Sequence, residues 1–128
     1  MMSVNKSLMS RDDIFHFENF IYLPMLLTVL LKDRQRIESG DFKLPGPYLQ
    51  LIDQAANVLD NDLRLTKEYM KQRKQRVLQV EDDDLFIVYA FHFNGYEEKR
   101  KYLKIRLRNR TEELLSTYLL MATVKPTQ

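Results

Sequence analysis

The residue types that most often bind metals are scarce in this chain. Of its 128 residues, two are histidines and none is a cysteine. Asp13 and His16 have the spacing of two ligands on one helical turn, but a di-metal carboxylate bundle needs two Glu-x-x-His pairs and two further Glu residues. The other histidine, His92, lies between Phe91 and Phe93. We expect His16 at the surface, His92 in the core, and no metal site.

The motifs of common enzyme classes are also missing. None of the serines lies in a Gly-x-Ser-x-Gly turn, the strained elbow that presents the nucleophile of many hydrolases. The chain has no Walker A loop and no Gly-x-Gly-x-x-Gly, whose backbone amides hold phosphates. The absence of cysteine excludes disulfides, thiolate ligands and a Cys nucleophile. We therefore predict that the protein is not an enzyme and needs no cofactor.

Basic residues concentrate in two segments, and this is the one feature that indicates binding chemistry. KEYMKQRKQR (67–76) holds five and KRKYLKIRLRNR (99–110) holds seven of the twenty Lys and Arg residues. Such clusters bind nucleic-acid phosphates, and Tyr69 and Tyr102 could stack on bases. The candidate contacts, for nucleic acid or for an acidic protein partner, are Lys71, Arg73, Lys74, Arg76, Lys101, Lys104, Arg106 and Arg108.

Ion pairing within the protein explains the same charges. If the last third of the chain runs antiparallel to the preceding helix, residues 99–108 lie beside residues 53–62. The expected pairs are Lys99 with Asp62, Lys101 with Asp60, and Arg108 with Asp53. Each exposed pair contributes only about 0 to 1 kcal/mol. We favour pairing and solvation, and keep nucleic-acid binding as the alternative function.

Two long helices are predicted for the first part of the chain, where turn-forming residues are few. Ser10 is the expected N-cap of a helix that runs to about Ser39 and ends at Gly40. Pro24 lies inside this helix and predicts a kink there. After a Gly- and Pro-rich linker (40–48), Pro47 begins a second helix that runs to about residue 76.

The most apolar segment, FIYLPMLLTVLL (20–31), lies in the first helix. A membrane span needs about 20 consecutive apolar residues, and charged residues flank this shorter run on both sides. We therefore expect a buried core helix and no membrane span. The N-terminus lacks the features of a secretion signal, so we expect the protein to be cytoplasmic.

The segment after residue 80 allows two interpretations. EDDD (81–84) is typical of a helix N-terminus, whose dipole favours acids. The following LFIVYAFHF (85–93) suits either a helix or a strand, and we favour a helix because no second strand is evident nearby. Asn94-Gly95 then ends or kinks that helix, and a last helix runs from about 96 to 122.

The predicted architecture is all-α: an antiparallel bundle of three long helices, the last split or kinked at Asn94-Gly95. Residues 11–122 would form one domain, with flexible ends at 1–10 and 123–128. Many aromatic residues would form its single core or, if exposed, a homodimer interface. They are Phe15, Phe17, Phe20, Tyr22, Phe86, Tyr89, Phe91 and Phe93.

Several short motifs resemble a known family. They are YLPM (22–25), DRQ (33–35), Gly40, FK (42–43), PY (47–48), GYEE (95–98) and EELL (112–115). With them the chain resembles the small, uncharacterised YhjD-like proteins of Bacillus-type spore formers. The resemblance implies a helical protein of unknown function, associated with sporulation, and supplies no catalytic residue. Our expectation is a non-catalytic protein that acts through protein contacts, most simply as a homodimer.

Overall fold

The computed structural model describes residues 9–123 and shows an α+β fold rather than an all-α bundle. Two long helices come first, α1 (Arg11–Ser39) and α2 (Gly46–Gln72). Three strands follow, β1 (Arg76–Asp82), β2 (Phe86–Phe93) and β3 (Tyr96–Leu103), and then helix α3 (Lys104–Thr123). The prediction of a three-helix bundle was therefore wrong. The predicted flexible ends fall largely on residues 1–8 and 124–128, which lie outside the described residues, and the single domain stays a prediction.

Helix α1 begins as its sequence predicts. Ser10 Oγ accepts a hydrogen bond from the Asp13 amide at 3.0 Å, and the Asp13 carboxylate accepts one from the Ser10 amide at 3.2 Å. This reciprocal capping box satisfies two amides that the first turn leaves free. The helix continues through Pro24 to Ser39, and the Gly40 amide bonds to the Ile37 carbonyl.

Helix α2 ends earlier than predicted, at Gln72 rather than near residue 76. Arg73 terminates it, and Lys74 has φ +55°, a left-handed conformation that breaks the helical pattern. The chain then turns into β1. The buried residues of α2 form one stripe at helical spacing, which faces α1: Ile52, Ala55, Leu59, Leu63, Thr66 and Met70.

The strands form an antiparallel sheet in the order β1-β2-β3, so residues 85–93 are a strand and not a helix. Asn94 and Gly95 have φ values of +51° and +79°, which suit a two-residue hairpin turn. They connect β2 to β3, and the last helix begins at Lys104 instead of residue 96. The EDDD segment is not a helix start either. The Asp83 carboxylate accepts hydrogen bonds from the Leu85 and Phe86 amides at 2.9 and 2.7 Å and so closes the β1–β2 turn.

Two hydrophobic clusters hold these elements together. The first joins the three helices around Leu23, Leu26, Leu30, Leu59 and Tyr118. The second joins α1 to one face of the sheet. Its members are Phe17, Ile21, Met70, Ile87, Tyr89, Phe91, Phe93 and Leu107. The core interpretation of the apolar run 20–31 is confirmed for Ile21, Leu23, Leu26 and Leu30, which are all buried.

By length and composition, α1 could also cross a membrane, since its most apolar 18 residues have a mean hydropathy of 1.6. Buried core helices of soluble proteins have the same properties. In this structure, 28% of that window is buried by the other elements.

Candidate functional site

The face of the sheet that points away from the helices is the most distinctive surface of the described chain. We call it the outer sheet face. All four β2 residues that enter the core, Ile87, Tyr89, Phe91 and Phe93, alternate along the strand and so share the opposite face. The outer sheet face therefore receives Phe86, Val88, Ala90 and His92. Neither hydrophobic cluster of residues 9–123 includes any of these four.

This outer sheet face is apolar along its centre. Ala90 and Val88 are themselves buried, at 1% and 9% exposed. Leu78 of β1 lies opposite Ala90, and Val80 lies at the irregularity in the β1–β2 pairing. Leu78 and Val80 are 43% and 42% exposed. A central strand that is apolar on both faces is typical of sheets covered on both sides.

Charged residues flank the apolar centre in an ordered way. At the level of Val88, Glu81 lies on the β1 side and Lys101 on the β3 side. At the level of His92, the order of signs is reversed, with Arg76 on β1 and Glu97 on β3. An apolar centre with a charged rim resembles the anatomy of protein interfaces.

The eight predicted contact residues do not form one surface. Arg76 and Lys101 both lie on the outer sheet face, but they pair with residues four positions apart on β2, about 13 Å along the strand. Arg106 and Arg108 line different clefts of α3. Lys71 and Arg73 lie at the end of α2, and Lys74 lies in the turn that follows. Lys104 forms an ion pair with Asp82.

The two tyrosines proposed to stack on bases are engaged within the protein. The Tyr69 ring stacks on His16, with centroids 3.9 Å apart, and the Arg73 guanidinium lies 3.7 Å from the same centroid. Two groups that close must occupy opposite faces of the ring. Tyr102 is half-buried against Tyr89, and its hydroxyl donates to Glu18. Burial raises the pKa of Tyr102, and the nearby Glu18 carboxylate raises it further.

The predicted interhelical ion pairs were wrong, because residues 99–103 belong to a strand. Asp53 instead forms a bidentate pair with Arg34 of α1, with the shorter distance 2.7 Å. Asp62 accepts a 2.6 Å hydrogen bond from the hydroxyl of Tyr118. These contacts connect α2 to α1 and to α3.

A polar network connects the start of α1 to the end of α2. Thr66 is fully buried, and its hydroxyl lies 2.9 Å from His16 Nδ1 and 3.2 Å from Asn19 Nδ2. Asn19 is a donor, so the Thr66 hydroxyl hydrogen is free to bond to His16 Nδ1. Burial lowers the pKa of His16 and favours this neutral acceptor. Since Thr66 has no exposed surface, its hydroxyl is closed to solvent and serves to connect α2 to α1.

The same network includes Asp13, whose carboxylate Oδ1 accepts bonds from Tyr69 and Gln75 at 2.8 and 2.9 Å. Burial opposes ionisation of Asp13, but these bonds and the capping box outweigh it, and the pKa of Asp13 is lowered. His16 is thus half-buried and not a surface residue. His92 is half-buried on the outer sheet face and not in the core. Among the described residues, no three His, Cys, Asp or Glu side chains are grouped to hold a metal.

Sequence reasoning missed this network and the outer sheet face. The available signal for the network was Thr66, a polar residue at a core position of the α2 stripe. For the outer sheet face, it was LFIVYAFHF, whose apolar residues occupy both faces of a strand.

Together the fold and its surfaces define a small α+β protein with a helical layer on one face of a three-stranded meander. The chain belongs to the YhjD protein family, whose model matches residues 8–123. It is 35% identical over 102 residues to the uncharacterized protein YhjD of Bacillus subtilis (strain 168), which covers 80% of this chain and 85% of that relative. No solved structure gives a significant match. The resemblance expected from the sequence motifs is therefore confirmed, and the family is one of unknown function.

Proposed function

We propose that this protein is a non-catalytic cytoplasmic protein that acts through protein contacts, and that its first partner is a second copy of itself. The contact would lie on the outer sheet face. The observation that supports this is the apolar centre of that face, where Leu78 and Val80 of β1 are 43% and 42% exposed beside the buried Val88 and Ala90 of β2. Burying such a surface against a partner is favourable by about 25 cal/mol per Å².

The charges at two levels of the outer sheet face, those of Val88 and His92, suit a symmetric dimer, whereas Lys99 at the level of Ala90 would face Leu78. Consider a twofold axis parallel to β2, midway between two facing sheets. This rotation keeps each level along β2 and exchanges the β1 side with the β3 side. Lys101 would then face Glu81 of the second copy, because both lie at the level of Val88. In an isologous interface each such pair occurs twice.

The second charge level gives the same result. Arg76 and Glu97 both lie at the level of His92, on opposite sides of β2. The twofold axis would bring Arg76 of one copy to Glu97 of the other. Two facing sheets pack about 10 Å apart, a distance that long Lys, Arg and Glu side chains can span from both sides.

Sedimentation velocity at micromolar concentration tests the dimer. We expect twice the monomer mass for the natural chain and a monomer for Leu78→Lys, which places a charge in the apolar centre. Leu78 is exposed in the monomer, so this variant should fold. Circular dichroism checks that. If the natural chain is still a monomer at about 50 µM, the proposal is rejected.

A charge exchange tests the orientation of the two copies. Lys101→Glu should weaken the dimer, because it faces two acids towards each other, and the double variant Lys101→Glu/Glu81→Lys should restore it. Arg106→Glu, on α3 away from the sheet, is the matched control and should leave dimerisation unchanged. If the double variant dimerises no better than Lys101→Glu alone, the proposed axis is wrong.

We also propose a role in sporulation, which the family resemblance implies. It predicts that a strain lacking the protein, or carrying Leu78→Lys, produces fewer heat-resistant spores. A normal yield of such spores from the deletion strain would argue against this role.

Nucleic-acid binding is a second candidate, favoured by one observation. Lys67, Lys71 and Arg76 line a common cleft of about 260 Å³, and within residues 9–123 none of them has a carboxylate within 4 Å. It predicts that Lys71→Glu lowers the affinity for single-stranded DNA or RNA and that affinity falls steeply with salt. No binding at 50 mM salt, measured by fluorescence anisotropy, would reject it.

A further inference from the structure

An apolar groove separates α1 from α3 on the helical side of the sheet. Its volume is about 510 Å³, within the range of small-molecule sites. Leu26 of α1 and Ile87 of β2 are buried residues at its base. Met25 and Val29 form the α1 wall, one helical turn apart. The groove is thus distinct from the outer sheet face, because Ile87 points to the opposite side of β2.

Helix α3 lines the groove with two parallel stripes. The inner stripe is Leu107, Thr111 and Leu115, spaced four residues apart. Thr111 Oγ1 donates to the Leu107 carbonyl at 2.7 Å, so its hydroxyl hydrogen is already satisfied within the helix. From Leu107 to Leu115 the inner stripe extends about 12 Å along the helix.

The outer stripe places charges along the rim of the groove. It consists of Lys104, Arg108 and Glu112, again four residues apart. Lys104 forms an ion pair with Asp82. In the described part of the chain, Arg108 has no carboxylate within 4 Å. The half of the groove nearer the start of α3 therefore carries an unpaired guanidinium and a second cation, Lys104, near the positive end of the helix dipole.

We infer that this groove binds a free anionic amphiphile with a single hydrocarbon chain, such as a long-chain carboxylate. The chain lies along Leu107, Leu115 and Val29, where it removes apolar surface from water. The headgroup lies at Arg108, whose planar guanidinium binds a carboxylate with two hydrogen bonds, and Lys104 adds positive charge. Glu112 lies one turn beyond Arg108 and repels an anion, so the headgroup lies on the Lys104 side of Arg108.

Isothermal titration with dodecanoate below its micelle concentration tests this site. We expect one dodecanoate per chain, and at least tenfold weaker binding of dodecyltrimethylammonium, which has the same chain with a cationic head. Equal binding of the two amphiphiles, or no binding of dodecanoate, overturns the inference.

Matched variants locate the site. Arg108→Glu should weaken dodecanoate binding at least tenfold, and Arg108→Lys should retain most of it. Arg106→Glu makes the same charge change on the same helix but in a different cleft, and should leave binding unchanged. If Arg106→Glu and Arg108→Glu weaken binding equally, only the net charge matters and the site is wrong.

Two further outcomes distinguish a bound amphiphile from other occupants of the groove. Dodecanoate should leave the sedimentation coefficient unchanged, and a ligand-induced drop in mass would show that a second copy occupies the groove. Pelleting with vesicles containing phosphatidylserine, without binding of free dodecanoate, would assign the surface to membranes and overturn the inference. A monomeric chain that binds dodecanoate supports this site while it rejects the proposed dimer, so the two can fail separately.

Discussion

The ring of Phe17 on α1 stacks on the ring of Phe91 on β2, with centroids 4.6 Å apart and planes 6° from parallel. Both side chains are fully buried. This contact joins the helical layer to the sheet within the second cluster, and its two partners are 74 positions apart in the sequence.

Replacing Phe17 with alanine should destabilise the protein by about 3–5 kcal/mol, because it opens a cavity between α1 and β2. Urea unfolding followed by circular dichroism measures the change. Phe15→Ala is the control, since Phe15 is 58% exposed, and it should change stability by about 0.5 kcal/mol or less. Equal losses for the two variants would show that α1 does not pack on the sheet as described.

The turn between β2 and β3 depends on glycine. Gly95 has φ +79°, so Gly95→Ala should cost about 1 kcal/mol through backbone strain, although no atom lies within 4 Å of the added methyl group. Gly46→Ala also meets no atom within 4 Å, and Gly46 has no positive φ. It should be neutral or slightly stabilising, since it begins a helix. Thermal unfolding compares the two, and a Gly95→Ala variant as stable as the natural chain would contradict the hairpin turn.

The boundaries of α1 could be predicted from the sequence because their causes are local. Ser10 and Asp13 form the capping box within one turn, and Gly40 follows the last helical residue. The strands could not be predicted in the same way. β3 contains Glu97, Glu98 and three basic residues, and only Tyr96 and Tyr102 suggest a half-buried strand.

The choice of helix for 85–93 failed because the strands on either side of it were not recognised as its partners. β2 is apolar on both faces, and its partners are polar edge strands that lack a strong pattern of their own. Asn94-Gly95, between β2 and β3, was the strongest hairpin signal in the chain. The candidate surfaces were also predictable only in part. The clustering of basic residues was visible in the sequence, but the stacking of His16 on Tyr69 depends on how α1 meets α2.

The stability of the protein should depend on pH through His16. Burial lowers the pKa of His16 below its ordinary value of 6.5; the nearby Arg73 charge also lowers it, whereas Asp12 and Asp13 raise it. In the unfolded chain, His16 therefore binds a proton at a higher pH than in the folded chain. Its contribution to stability is complete above about pH 6.5 and is lost as the pH drops towards the folded pKa. Unfolding measured between pH 7.5 and 5, about the range of histidine titration, tests this.

Thr66→Val should reduce that pH dependence and lower stability by about 1–3 kcal/mol, because the polar groups of His16 and Asn19 lose their buried partner. Thr66→Ser keeps the hydroxyl and is the matched control. An NMR titration of His16 gives the pKa directly. A folded pKa at or above 6.5 would contradict the described network.

The two neighbouring acids at the start of α1 should behave very differently. Asp13 caps the helix and accepts bonds from Tyr69 and Gln75, whereas Asp12 is exposed. Asp13→Ala should therefore cost about 1–3 kcal/mol, since it removes the cap and leaves buried donors unpaired. Asp12→Ala loses only its interaction with the helix dipole, about 0.3–1 kcal/mol.

Lowering the pH should reproduce the loss of stability caused by Asp13→Ala. Hydrogen bonds to the charged carboxylate outweigh its burial, and the pKa of Asp13 lies below its ordinary value of 3.8. Its contribution is thus complete above that value and is lost as the pH falls through the folded pKa. Between pH 5 and pH 2, about the range of carboxylate titration, the stability difference between the natural chain and Asp13→Ala should narrow, while the difference from Asp12→Ala stays small. A constant gap across that range would show that the Asp13 carboxylate does not bind Tyr69 and Gln75 in its charged form.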